Sequence, residues 1–219
     1  DYAFDGTISQ QVLENFLSRA LTMDGVCAAS PSPPYATLFE EDLRMILSTG
    51  AKFIGYAAYT WDAAADDEAH FVQARERAAL IHAADPDIIL QAGIFETAYS
   101  NAEPKVSTRA ALGLSRAGIE GIPVPDWAFQ EFGLALESRT FRYEAMLYEN
   151  GFGRDQWVPG ASVPDMSRIE TKLWFYYRAR RYIDAGYECL HFGQAMLMDH
   201  ADPEHEHWRD IVGRIRAYG

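Results

Sequence analysis

The sequence predicts a parallel α/β fold assembled from (β/α) units of a TIM-type barrel, with about half of such a barrel in its 219 residues. Three observations predict it. An amphipathic helix, a tight stop and a short apolar run recur in that order three times. The apolar runs are nearly continuous, as in strands covered by helices on both faces or lining a closed barrel. The number of such units is near four, whereas an eight-stranded barrel typically needs about 250 residues and at least about 200. A smaller open α/β sheet is the competing arrangement.

The first helix is expected in "SQQVLENFL", followed by a strand in "LSRALTMDGV". Next, "FEEDLRMILSTG" sets Leu43, Ile46 and Leu47 on one helical stripe, Gly50 supplies the stop, and "AKFIGYAAYTW" follows as a strand. Phe71, Ala74, Ala78 and Ile81 then recur at steps of three and four, "AADP" breaks that helix, and "DIILQAGIF" is the strand beyond it. In the third copy, Ser167 and Glu170 have capping-box spacing, and Ile169, Leu173, Tyr176 and Ile183 make the stripe. Gly186 ends that helix before "YECLHFGQAMLM". A last helix is expected in "DPEHEHWRDIVGRIRAY", with Asp202 as cap and Pro203 at its first position.

Strand starts near 52 and 87 lie close together, while the next falls near 187. A single domain over residues 1–219 is therefore expected to carry a long insertion at about 97–165. The insertion contains "GIPVPDWAFQEFG", where a short helix should begin near Pro125, and the glycine-, proline- and ring-rich "YENGFGRDQWVPGASVPD". It can form a lid or wall over the strand ends, or hold an extra strand.

A net charge of -13 makes nucleic acid an unexpected partner, since phosphate binding normally needs a basic face. Hydrophobic residues make up 48% of the chain, but no run approaches the length of a membrane span. The compartment, extracellular or cytoplasmic, stays open. Cys27 and Cys189 are too few for a disulfide framework and lack zinc-motif spacing. His200, His205 and His207 gather near acids, but His205 and His207 are two apart on a helix and face different ways, so no metal is expected. No P-loop, dinucleotide glycine fingerprint or GxSxG elbow occurs, and no cofactor is expected.

Ligands of parallel α/β folds bind at the C-terminal ends of the strands. Glu96 in "IFETAY" falls there, as do Tyr59, Trp61 and Asp62 after "FIGYAA", and His191 and Gln194 in "HFGQ". Tyr99, Trp127 and Trp157 are further candidates for contact with a ligand. Rings offer apolar faces to sugar C–H groups while acids and amides bond hydroxyls, which suits a saccharide. The bland alternative for Glu96 is a structural ion pair with an arginine such as Arg19.

The helix, glycine, strand and acid rhythm, with "IFETAY" ending one strand and "HFGQ" another, resembles the (β/α)-barrel glycoside hydrolases. The combination "AKFIGYAAYTW", "DPDIILQAGIFE" and "WFYYRARRYIDAGYECLHFGQ" also resembles bacterial proteins of carbohydrate-utilisation type. The resemblance implies a carbohydrate-active protein in which Glu96 is the general acid. Such hydrolysis normally uses two carboxyl groups. Gln194 stands where the resemblance would place a second strand-end acid, which leaves Asp126, Glu131 and Asp155 of the insertion, or an acid outside this chain. A non-catalytic saccharide-binding or surface-associated barrel protein is the alternative. Four (β/α) units would also leave two sheet edges to be covered by further chain or a second chain.

Overall fold

The computed structural model describes residues 9–28, 38–61, 66–100 and 118–219. Four parallel strands form one sheet in the order β1-β2-β3-β6: β1 Ala20–Thr22, β2 Phe53–Thr60, β3 Ile89–Ile94 and β6 Cys189–Phe192. Each of the four expected strands is present, and they neighbour one another in chain order. Helices α1 (Gln10–Leu17), α2 (Phe39–Thr49), α3 (Asp67–Ala84), α5 (Ile169–Asp184) and α7 (Glu206–Tyr218) alternate with them. The stretch between β3 and α5 adds the short helix α4 (Asp126–Glu131) and a two-stranded antiparallel ladder of β4 (Ala98–Tyr99) and β5 (Ala161–Ser162). One turn of helix, α6 (Ala195–Met198), follows β6.

Local chemistry explains most boundaries. Gly50 adopts the left-handed conformation (φ 69°) that ends α2, and Gly186 (φ 93°) turns the chain out of α5. The Asp66 side chain caps α3 by accepting from the Ala69 amide at 2.9 Å. The α3 stripe of Phe71, Ala74, Ala78 and Ile81 is buried as its spacing requires.

Two expected caps differ. Glu170 does not close a capping box with Ser167. It is buried, receives both guanidinium nitrogens of Arg139 at 2.7 and 2.8 Å, and accepts the Arg142 amide at 2.8 Å, so a tertiary ion pair displaces the local cap. Helix α7 begins at Glu206 rather than at Pro203. Asp202 still accepts an amide of its first turn, that of His207 at 2.9 Å, across an intervening turn.

Helix α5 is buried far beyond a single stripe: Leu173 and Tyr176 are inside, but so are Trp174, Phe175, Tyr177, Arg178 and Tyr182, while Ile169 is 45% exposed. The cause is the insertion, which packs on the side of α5 that a simple (β/α) unit would leave in water. Thr171 donates to the Met146 carbonyl, and Trp127 of α4 stacks on Tyr177 with centroids 5.9 Å apart. Helices thus cover the face of β3 that carries Leu90, Ala92 and Ile94, all buried. The alternate residues Ile89, Gln91 and Gly93 point to the other face. There Gln91 and Gly93 pair in register with Cys189 and His191 of β6, and Phe53 with Ile89.

Beneath the end of β2 lies a polar network sealed between α3 and α5. The Arg178 guanidinium is 3% exposed at its side chain and donates to Asp67 at 2.5 Å, to the Thr60 hydroxyl at 2.9 Å and to the Tyr182 hydroxyl at 3.1 Å. Tyr177 donates to the second Asp67 oxygen at 2.5 Å, and His70 shares a 2.9 Å hydrogen bond with Tyr182. Every polar atom named here has a partner, as burial demands.

Burial, reinforced by Arg178 and Arg181, holds the His70 imidazole well below its ordinary value of 6.5. A base whose folded value is depressed is neutral in the native state but takes a proton when unfolded, so its contribution is complete above pH 6.5 and is lost as pH falls below it. Urea midpoints of the wild type are therefore expected to drop as pH is lowered from 7 towards 5. The drop should be smaller in His70→Gln, and equal slopes in the two proteins would refute this assignment.

Candidate functional site

At the C-terminal ends of β2, β3 and β6 the chain gathers a cluster of rings. Trp61 stacks on Phe95 with centroids 3.8 Å apart and planes 10° from parallel, and remains 42% exposed. Tyr59 meets Phe95 edge-on at 5.5 Å and Trp61 at 6.5 Å, and Tyr56 lies 5.9 Å from Phe95 and 6.5 Å from Tyr59. The His191 ring completes the group, 5.0 Å from Tyr56.

A strand places residues three apart on opposite faces, so Tyr56 and Tyr59 should not meet. They meet because β2 bulges. Ile54 pairs with Leu90 but Ala58 pairs with Ala92, leaving two extra residues on β2, and Tyr56 takes the left-handed conformation (φ 54°) at the bulge. Such a conformation is unusual for an aromatic residue and costs about 1–3 kcal/mol, and bulges recur beside functional sites because they re-aim a side chain. The rings settle over Gly93, where a Cβ would stand 3.2 Å from Tyr59 Cβ and 3.3 Å from both Tyr56 Cδ1 and Phe95 Cζ. A Cβ there would press on all three side chains, which would have to give by a few tenths of an ångström.

Polar groups edge the cluster. The Tyr56 hydroxyl and His191 Nε2 are 3.1 Å apart, and the Tyr59 hydroxyl donates to Asp24 Oδ2 at 3.3 Å. Burial lowers the His191 pKa and nearby Glu96 partly opposes it, so the imidazole is neutral at pH 7. Asp24 lies in the segment after β1 that follows the bulge, with the Gly25 amide bonded to the Tyr56 carbonyl at 2.8 Å.

Glu96 sits at the strand end as its position in "IFETAY" predicts, but its side chain is 2% exposed. Oε2 accepts the Gln194 backbone amide and Oε1 accepts Gln194 Nε2, both at 3.0 Å. The partner is therefore Gln194 rather than Arg19. Gly193 makes the contact possible, since a Cβ there would lie 1.8 Å from Glu96 Oε2. Glu96 and Gln194 form a clasp between the ends of β3 and β6.

The other sequence candidates separate. Trp127 belongs to the interface of α4 with α5, where the Arg180 guanidinium lies 4.4 Å over its ring, and has a packing role there. Tyr99 is buried in β4, paired with Ala161, and Trp157 is a 39% exposed residue of the turn leading into β5. Asp62 lies outside the described residues. Of the acids weighed as partners of Glu96, Glu131 bonds Tyr176 and Arg214, Asp155 accepts the Gly160 amide at 2.7 Å, and Asp126 opens α4. His205 is hydrogen-bonded to Asp199, and His200 stacks on Phe152. No group of histidines, cysteines and acids suited to a metal ion occurs among the described residues. Among them, too, no helix is long and apolar enough to cross a membrane.

Sequence reasoning did not single out Tyr56 or Asp24. Gly55 beside Tyr56 was the one local hint of a bulge, and Asp24 reads as an ordinary turn residue in "MDGV". No protein-family model, curated protein or solved structure shows significant similarity to the chain.

Proposed function

We propose that the protein is carbohydrate-active and binds a saccharide on the rings at the ends of β2, β3 and β6. The observation that carries the reading is Trp61, backed by Phe95 in parallel stacking and 42% exposed, with hydroxyl and imidazole groups beside it. A large aromatic residue held flat and left in water is a platform for the apolar face of a sugar ring. Tyr56, Tyr59, His191 and Asp24 are the groups at hand to bond its hydroxyls.

The geometry favours binding over hydrolysis. A general acid must present its proton to the glycosidic oxygen. Both Glu96 oxygens are instead occupied as acceptors by Gln194, so Glu96 acts by holding the strand ends together. The hydrolase reading requires Gln194 to swing away when ligand binds. A glycan panel screened for both binding and bond cleavage by the wild type and by Glu96→Gln tests this. Binding without cleavage by the wild type is expected. Cleavage that disappears in Glu96→Gln while binding persists would restore Glu96 as the general acid.

We read the four-stranded sheet as part of a TIM-type barrel, closed by further chain or by a second chain. What supports this is exposed apolar surface: α1 has no buried residue, Phe16 is 44% exposed, and Ile89 on the uncovered face of β3 is 41% exposed. Among the described residues β1 and β6 form the two edges of the sheet, where further strands could pair. Light scattering on the purified 219-residue chain should show self-association or aggregation, and a stable, non-associating monomer would count against closure.

A further inference from the structure

We infer that the carboxylate which meets the ligand is Asp24, and that the ring cluster selects a saccharide bearing a protonated amine over neutral or acidic ones. The inference deepens the saccharide reading above and rests on it. Of the two acids near the rings among the described residues, Glu96 is 2% exposed and engaged by Gln194 through both oxygens. Asp24 is exposed, and its Oδ2 is fixed by the Tyr59 hydroxyl at 3.3 Å. Tyr59 in turn touches both Phe95 and Trp61, so the carboxylate is tied to the edge of the stacking platform.

The rings add to the same preference. An aromatic face carries partial negative charge and attracts a cation, most strongly for tryptophan. Arginines elsewhere in the molecule use this attraction internally: guanidinium groups lie over Phe71, Trp127, Phe129 and Phe132. Among the described residues, none lies over Trp61 or Phe95. The neighbouring His191 contributes no positive charge while neutral, and its hydrogen bond with Tyr56 leaves the pair able to donate or accept towards a hydroxyl. A carboxylate and a stacked pair of rings together favour a cationic sugar. An acidic one would face Asp24 unpaired.

Intrinsic tryptophan fluorescence titrations at slightly acidic pH test this with three probes of equal length: a glucosamine oligomer, its N-acetylated counterpart and an oligouronide. The glucosamine oligomer should bind about tenfold more tightly than the N-acetylated one, the combined size of a cation–π contact and an exposed ion pair. The oligouronide should bind most weakly. In Asp24→Asn, whose unfolding midpoint should match the wild type because the side chain is exposed, the preference for the amine should shrink several-fold. Equal binding of the first two probes, or an amine preference unchanged in Asp24→Asn, would overturn the inference and leave the saccharide reading standing. A tetramethylammonium titration separates the remaining case. If it quenches Trp61 in an Asp24-dependent way while no saccharide binds, the cation site stands and the saccharide reading falls. If neither binds, both fall.

Discussion

Asp67→Ala is expected to destabilise the protein by about 3–5 kcal/mol, the usual consequence of leaving a buried charge without its partner. Arg178 is 3% exposed at its side chain, and Asp67 supplies its only carboxylate among the described residues. Thr60 and Tyr182 would remain as neutral acceptors, which cannot balance a guanidinium cut off from water. Equilibrium urea unfolding measures the loss. Replacing both charges, as Asp67→Leu with Arg178→Met, should recover much of it, because two apolar residues carry no desolvation penalty. A loss below about 1 kcal/mol for Asp67→Ala would mean that water reaches the guanidinium and that the pair belongs with exposed ion pairs. The network also bears on the ring cluster, since Thr60, one of the groups bonded to Arg178, directly precedes Trp61.

Gly193→Ala is expected to be the most damaging single-methyl substitution near the strand ends. The new Cβ would fall 1.8 Å from Glu96 Oε2 and 3.0 Å from the Glu96 backbone nitrogen, so the clasp must open or the backbone must shift. Overpacking of this kind costs about 1–3 kcal/mol, and the two hydrogen bonds from Gln194 would be lost in addition. Hydrogen exchange at the Gln194 amide reports the clasp directly. Exchange should accelerate in Gly193→Ala and in Glu96→Ala to a similar degree. Unchanged protection in Gly193→Ala would show that the strand ends accommodate a methyl group and that the clasp is looser than its geometry implies.

The parallel strands were legible in the sequence because their signals are local. Gly50 and Gly186 sit where a helix must stop, and the apolar runs after them are too short to be helices. The α3 stripe could be read for the same reason, because one face of that helix alone meets the sheet. Helix α5 could not be read as fully. Burial of Arg178 and Glu170 depends on Asp67 and Arg139, 111 and 31 residues away, and no periodicity announces a partner at such distances.

The site divides along the same line. Glu96, Trp61, Tyr59 and His191 could be placed from the rule that ligands meet strand ends, and the structure brings all four to one end of the sheet. Whether Glu96 faces solvent was beyond that rule, because it turns on Gly193 and Gln194, which follow β6, Gln194 lying 98 residues further along the chain. Tyr56 was hidden by the alternation of strand side chains, which the bulge overrides. Trp127 and Trp157 were chosen by residue type within the insertion; Trp127 lies in the interface of α4 with α5 and Trp157 in the exposed turn before β5, both apart from the ring cluster.

The central claim is that Trp61 and its supporting rings form the saccharide platform. Affinity of the wild type and of Trp61→Ala for the same bound glycan, measured by isothermal titration, tests it most directly. Loss of the central stacking residue should weaken binding by at least about 30-fold, the effect of removing about 2 kcal/mol at an aromatic hot spot, with the unfolding midpoint little changed because the residue is exposed. Equal affinity in the two proteins would contradict the account.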